Sequence, residues 1–207
     1  MSSKNYFNNV SVDWDAMRTD FFSEKIRETV YKHVDFSSEK VIADIGAGTG
    51  FMTEGLEGKP VKVIAVDQSE NMLSEMEEKL QNKIMVDYRV GESECLPIDS
   101  NTVDYVFANM YLHHVDHPQK AIQEMYRILK SGGKLIITDL DRHNYEFLRT
   151  EQHDKWLGFK RIDVKYWFAS AGFNCICAVD VKENCCSESK TSNEKAEITV
   201  FMAMGEK

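Results

Sequence analysis

Val41-Ile42-Ala43-Asp44-Ile45-Gly46-Ala47-Gly48-Thr49-Gly50 is an apolar run that ends in an acid and then breaks into glycines. A short apolar run bounded by glycine reads as a buried strand. Phe51 to Leu56 then begins a helix that Gly58-Lys59-Pro60 ends. Glycine permits positive φ and a close approach of backbone to a ligand. Gly46, Gly48 and Gly50 form a G-x-G-x-G arrangement, whereas the dinucleotide-binding version places its third glycine one residue later. A tight turn alone would account for the glycines. Asp67 is what points to a ligand: it ends the next strand, Val61 to Val66, 23 residues after Asp44. A carboxylate at a strand end accepts hydrogen bonds from ribose hydroxyls, and uncompensated it requires a polar partner.

Outward from this pair of strands the alternation continues. Ser69 caps a helix to Leu80 whose apolar stripe is Met72, Leu73, Met76 and Leu80. Ile84 to Val90, Val103 to Ala108 and Lys134 to Asp139 read as strands three to five. Pro118 opens a helix to Leu129, with the turn Ser131-Gly132-Gly133 beyond it. Upstream, Phe21 to His33 has helical spacing at Phe22, Ile26, Val30 and Val34. Downstream, Val164 to Ala171 is a helix closed by Gly172, and Phe173 to Val181 and Ile198 to Met204 are the last strands. Glu183 to Lys195 is polar and reads as a mobile loop joining them without a helix. The expected architecture is an α/β, doubly wound, mostly parallel, seven-stranded Rossmann-like sheet with an antiparallel edge strand and helices on both faces. Ligands in such sheets bind beyond the carboxyl ends of the strands.

At 207 residues the chain suits a single domain, 1–207. A net charge of -9 argues against a nucleic-acid partner, since phosphate binding needs a basic face. No stretch approaches the ~20 apolar residues that span a bilayer, and Met1 to Val10 lacks an apolar signal core. A cytoplasmic protein is expected. The cysteines are Cys95, Cys175, Cys177, Cys185 and Cys186, an odd number that reads as free thiols. No metal site is assigned.

With these motifs in this order, the sequence resembles the class I S-adenosylmethionine-dependent methyltransferases, over roughly Tyr6 to Phe173. It looks most like the small-molecule subgroup related to the ubiquinone and menaquinone biosynthesis enzymes. Asp44 to Gly50 matches the family's first motif. The resemblance implies S-adenosyl-L-methionine as cofactor, with Asp44 near its amino group, the Gly46-Gly48 backbone against its methionine part, and Ala47, Thr49 and Gly50 also in the cofactor-binding turn. Asp67 would hold the ribose, and Gln68 and Met72 would flank the adenine. Gly91-Glu92-Ser93-Glu94-Cys95-Leu96-Pro97 resembles G-D-A-E-x-L-P, with Glu92 in place of the usual Asp toward the adenine amine. Asn109 and Tyr111 follow the fourth strand, and Leu129-Lys130-Ser131-Gly132-Gly133 resembles L-K-P-G-G.

Methyl transfer is an in-line displacement, and a base is needed only if the acceptor must lose a proton. Tyr111, His113, His114, Asp139, Asp141 and His143 follow strands four and five, where they would reach the methyl group. His113, His114 and His143 are the candidate catalytic groups, because imidazole exchanges protons near neutral pH. Residues 1–34 resemble the family's helical lid, with Tyr6, Phe7, Trp14 and Arg18 closing over the cofactor. Residues 140–163 fall where the family varies its acceptor side, so Trp156 and Phe159 are expected to line a pocket for a small-molecule acceptor, quinone-like or otherwise aromatic. His143 to Arg149 and His153 to Phe159 also resemble a subgroup found in bacteria and archaea, sometimes fused to arsenic-type metalloregulators. That leaves a metalloid or thiol acceptor open, with Cys185-Cys186 as soft ligands. Cys175 and Cys177 would share one face of their strand. A non-catalytic module that binds S-adenosylmethionine is the remaining alternative.

Overall fold

A computed structural model describes residues 3–207. Its seven strands form one sheet in the order β3-β2-β1-β4-β5-β7-β6. They are β1 (Lys40–Ile45), β2 (Val61–Asp67), β3 (Val86–Val90), β4 (Val103–Asn109), β5 (Leu129–Leu140), β6 (Asn174–Glu188) and β7 (Lys195–Glu206). β1 pairs in parallel with β2 and β4, and the parallel register continues to β3 and β5. β7 runs antiparallel between β5 and β6. The expected mixed sheet is therefore present, with the antiparallel strand one place in from the edge.

Successive residues of β1 point to opposite faces of the sheet. Ala43 and Ile45 pack with Val106, Ile122, Met125 and Phe168. The last three lie on α6 (Pro118–Ile128) and α8 (Arg161–Ala171). Ile42 packs on the other face with Phe107, Ile26 and Val30, the last two from α3 (Lys25–Tyr31). Strands buried on both faces need apolar residues throughout, which is why the quoted run carries almost no alternation. α5 (Glu70–Leu80) starts at Ser69, whose hydroxyl accepts from the Met72 amide at 3.1 Å, and buries Met72, Leu73, Met76 and Leu80. α4 (Phe51–Glu54) follows the glycine turn, and α7 (Phe147–Glu151) lies beyond β5.

Several boundaries differ from the sequence reading. The stretch from Phe21 is not one helix. α1 (Ser3–Val10) and α2 (Trp14–Phe21) end at an extended Phe22, and α3 begins only at Lys25. The expected lid of residues 1–34 thus divides, because Ile26 and Val30 of α3 belong to the core. Glu183 to Lys195 is mostly strand: β6 runs to Glu188, β7 starts at Lys195, and Ser189 donates its amide to Glu194 across the short turn. The inward face of this end of β6 carries Glu183, Cys185 and Ser187 rather than large apolar side chains, so its composition imitates a loop although burial alternates along it. Gly132 and Gly133 lie within β5, where Gly132 has φ +77 and the pairing with β4 shifts register. Among the described residues no helix is long and apolar enough to cross a membrane.

Candidate active site

The carboxyl ends of β1, β2 and β4 open onto a cleft of about 660 Å³ beneath α1 and α2. Its floor is the turn after β1. Gly46 and Ala47 donate their amides to Val66 at 2.8 and 3.1 Å, which pins the turn against β2. Gly46 has φ +68, and a Cβ built there would sit 2.1 Å from the Tyr111 ring. Only glycine lets that ring lie flat on the backbone. Asp67 closes one end of the cleft. Its Oδ2 accepts from the Gly48 amide at 2.9 Å and its Oδ1 from the Ser69 amide at 2.8 Å. Burial raises its pKa even so, although the amides favour the charged form.

Asp44 is 2% exposed and accepts from Thr53 Oγ1 at 2.7 Å. Burial pushes its carboxyl up to about 6; the Thr53 bond pulls back, and the Asp67 charge adds to the rise. Arg18 enters the cleft from α2 with its guanidinium 4.3 Å above the Phe51 ring. Its Nε is buried and has no hydrogen-bond partner among the described residues. A buried acid without a cation and a buried guanidinium N–H without an acceptor thus face one cleft. They suit the ammonium and carboxylate of an amino acid, and Asp67 suits a ribose. Ala47, Thr49, Gln68, Met72 and Asn109 complete the expected set that lines it.

Four residues expected at the cofactor lie outside this lining. Gly50, at φ +90, packs against Met76 and Leu80, and so serves the join of α4 with α5. Gly91 donates its amide to the Asp67 carbonyl and sits against the Pro97 ring. Glu92 is exposed, and Ser93 is buried and hydrogen-bonded to the Tyr111 hydroxyl. Phe22, Met52 and Met110 line the cleft without having been singled out from the sequence. Apolar residues in helices and strands carry no mark that separates a cleft wall from a core.

A second cleft, of about 510 Å³, adjoins the first and shares Phe7, Trp14, Phe22, Met110 and His114 with it. Phe21, Leu140, Leu148 and Ile198 make the rest of it largely apolar, and Gln152, Ser187 and Cys185 add polar edges. Its charged corner is built on the 3-10 turn Leu112–His114. His113 Nδ1 lies 2.8 Å from Asp139 Oδ1, and the His113 amide donates to Asp139 Oδ2 at 3.3 Å. Asp154 faces both histidines, 3.9 Å from His113 Nε2 and 3.9 Å from His114 Nδ1. Burial disfavours a charge on His113, but the carboxylates of Asp139 and Asp154 outweigh it and raise its pKa to about 9. Burial and the His113 charge drive His114 well below the ordinary imidazole range. Burial lifts Asp154 to about 6.

His143 lines neither cleft; it borders two other hollows, and burial, with the His113 charge beside it, lowers its pKa to about 4. Trp156 and Phe159 are likewise elsewhere. Trp156 Nε1 donates to the Val115 carbonyl at 2.8 Å, and Phe159 is core. The segment 140–163 reaches the second cleft instead through Leu140, Leu148, Gln152 and Asp154. Cys185 and Cys186 are neighbours on β6 and so point to opposite faces. Cys185 lines the second cleft, with its thiol pushed up to about 12 by burial, while Cys186 is exposed on another surface. The two cannot clamp one ion. Cys175 has φ +51 in an irregularity of β6, so it does not share the expected alternation with Cys177.

Residues 43–137 match the family model described as a methyltransferase domain. The chain is 30% identical over 149 residues to the ubiquinone/menaquinone biosynthesis C-methyltransferase UbiE of Hydrogenovibrio crunogenus, covering 67% of this chain and 58% of that one. It is 31% identical over 156 residues to the chloroplastic 2-methyl-6-phytyl-1,4-hydroquinone methyltransferase 2 of Oryza sativa, covering 73% and 44%. The chain thus spans about half the length of the curated relatives it matches. A crystal structure from Thermotoga maritima, described as an SAM-dependent methyltransferase and possible histamine N-methyltransferase, superposes with a TM-score of 0.72 at 22% identity over 97% of this chain and 98% of that one. That likeness is one of fold. The glycine turn, the two strand-end acids and the matched segment place the chain among the class I S-adenosylmethionine-dependent methyltransferases, and S-adenosylmethionine is its cofactor. Within that class it is of the UbiE-like kind.

Proposed function

We propose that this chain transfers the methyl group of S-adenosylmethionine to a small-molecule acceptor held in the second cleft. The observation that carries the reading is the wall common to both clefts, Phe7, Trp14, Phe22, Met110 and His114. Molecules seated on its two sides stand next to each other. When bound, the cofactor supplies a methyl carbon made electrophilic by the attached sulfonium. In the first cleft Asp44 and Arg18 hold its amino-acid end, and Asp67 its ribose. In the second, the aromatic and aliphatic lining favours a flat, apolar acceptor of the quinol type. The hydroquinone named for the rice relative is of that chemistry. α1 and α2 exclude water from the shared wall, which protects the transfer from competing hydrolysis. His113, bonded to Asp139 through Nδ1 and facing Asp154 through Nε2, orients the charged corner of that cleft.

Calorimetry with S-adenosylhomocysteine, followed by incubation with S-adenosylmethionine and a panel of quinols, phenols, amines and thiols, tests this. The expected result is one-to-one binding and a mass gain of one methylene on an apolar ring acceptor. Binding without any turned-over small molecule would favour a non-catalytic module. Failure to bind S-adenosylhomocysteine at all would overturn the reading.

A further inference from the structure

The charged corner of the second cleft has an arrangement that acceptor packing does not explain. Three donor groups converge there: one nitrogen each of His113 and His114 and an Asp154 carboxylate oxygen, all within 4.8 Å of one another; His114 Nδ1 also lies 3.4 Å from the His153 carbonyl, a long contact that ligation through Nδ1 would replace. Asp154 and His113 are 6% and 5% exposed, so these are not scattered surface groups. Their convergence is built in by the backbone. The histidines are neighbours on one 3-10 turn, with ring centroids 4.1 Å apart. The amides of Lys155 and Trp156 both donate to the His113 carbonyl at 3.0 Å, which holds the segment carrying Asp154 against that turn.

Two further observations point to an ion. Asp139, 0% exposed, engages the Nδ1 side of His113 and leaves Nε2 aimed at Asp154. A carboxylate on the far nitrogen is how proteins orient a histidine that ligates a metal. In addition, the Asp154 carboxylate, 6% exposed, stands 3.9 Å from a nitrogen of each histidine, too far for a hydrogen bond to either, and a buried carboxylate needs a partner.

We propose that His113, His114 and Asp154 hold a divalent cation of the zinc class, oriented by Asp139, with its remaining position open to the second cleft. Two imidazoles and one carboxylate are a donor set that zinc accepts, and three protein ligands leave a fourth position free. Tetrahedral bonds of roughly 2.0–2.1 Å need donor separations of about 3.4 Å. The two 3.9 Å separations to Asp154 and the histidine nitrogens, within 4.8 Å of each other, would have to draw in to that value by rotation of the three side chains. The open position would take an oxygen, nitrogen or sulfur donor of the acceptor and present it to the shared wall. That last assignment rests on the reading of the second cleft as the acceptor pocket; the ion site itself does not.

The test uses the full chain stripped with a chelator, then titrated with Zn2+ against a chromophoric chelator and, separately, with Co2+ under visible spectroscopy. One equivalent of Zn2+ bound at micromolar concentration or tighter is expected, with Co2+ giving the absorption of a four-coordinate site. Asp154→Asn and His114→Asn should each weaken Zn2+ at least tenfold, and Asp139→Asn about 10–100-fold through the orientation of His113. Cys186→Ser, on the other face, should leave it unchanged. Circular dichroism on every variant reports folding, and S-adenosylhomocysteine calorimetry on the unaltered chain, Asp154→Asn and Asp139→Asn, whose residues lie outside the first cleft, keeps the outcomes apart. Cofactor binding without Zn2+ binding overturns the metal site and leaves the proposed transfer standing. Zn2+ binding without cofactor binding does the reverse. Zn2+ affinity unchanged by both Asp154→Asn and His114→Asn would also overturn the site.

Discussion

Thr49 Oγ1 donates to Asp15 Oδ1 at 2.5 Å, and so ties the glycine turn to the helix that stands above it. The other Asp15 oxygen accepts from Lys79 Nζ of α5 at 2.7 Å. One carboxylate therefore joins the cleft floor, its roof and a helix of the sheet. Asp15 is 46% exposed, so its ion pair contributes only about 0.2–1 kcal/mol. Asp15→Ala should therefore leave global melting almost unchanged while loosening α1 and α2. Hydrogen exchange over residues 3–21 should rise, and S-adenosylhomocysteine should dissociate roughly two- to fivefold faster. Unaltered exchange in that segment would show that the latch does not hold the roof.

Asp44 supplies the pH dependence. Its pKa in the folded, cofactor-free chain lies near 6, above the ordinary 3.8. A raised carboxyl contributes stability that is fully present below 3.8 and is lost as the pH rises through about 6. The charged form is the one that holds an ammonium, so affinity for S-adenosylhomocysteine should strengthen as the pH rises through that same region. Titrations between pH 5 and 8 check this. Asp44→Asn should flatten the profile and weaken binding at the upper end by about 10–100-fold.

Arg18 and Asp44 make separable contributions. Arg18→Ala removes the proposed partner of the cofactor's carboxylate, a charge-assisted bond of about 1.5–3 kcal/mol. It should weaken S-adenosylhomocysteine by roughly 10–100-fold while leaving methylthioadenosine, which lacks the amino-acid end, nearly as before. Equal losses for both ligands would mean that Arg18 acts through its packing on Phe51 and its ion pair with Glu24 rather than on the cofactor's carboxylate.

Gly46→Ala is expected to be the most damaging single methyl in the turn. It meets the Tyr111 ring and sits at φ +68, a region that costs a non-glycine residue about 1–3 kcal/mol. Thermal melting should fall and cofactor binding should be lost. Pairing it with Tyr111→Ala should recover part of the melting temperature, because that change removes the clash and leaves the φ cost. No recovery would assign the damage to backbone strain alone.

The first cleft was legible because the residues that line it are set by local pattern. Asp44, Gly46, Gly48 and Asp67 lie at strand ends that apolar runs announce, and the expected sheet puts those ends side by side. Asp154 was not legible. It stands 40 residues after His114 in sequence, and only α7 and the following turn, with His153 at φ +61, bring it back to the histidines. His143 failed for the converse reason: it follows β5 closely, yet the chain turns it away from both clefts. Glu183 to Glu188 was hidden because its half-buried and buried positions hold Glu183, Cys185 and Ser187 rather than aliphatic residues, which gives no apolar alternation to read.

The place of β7 has a consequence for how the molecule is made. β6 hydrogen-bonds only to β7 within the sheet, and β7 comes after it in the chain. While the ribosome is still building residues 195–206, β6 has no neighbour to join, although β1 to β5 can already associate. Cys185 and Ser187 on β6 and Ile198 on β7 form one wall of the second cleft. The first cleft is therefore competent to form from the nascent chain before the second is, and a stall late in synthesis would leave a protein whose second cleft lacks that wall.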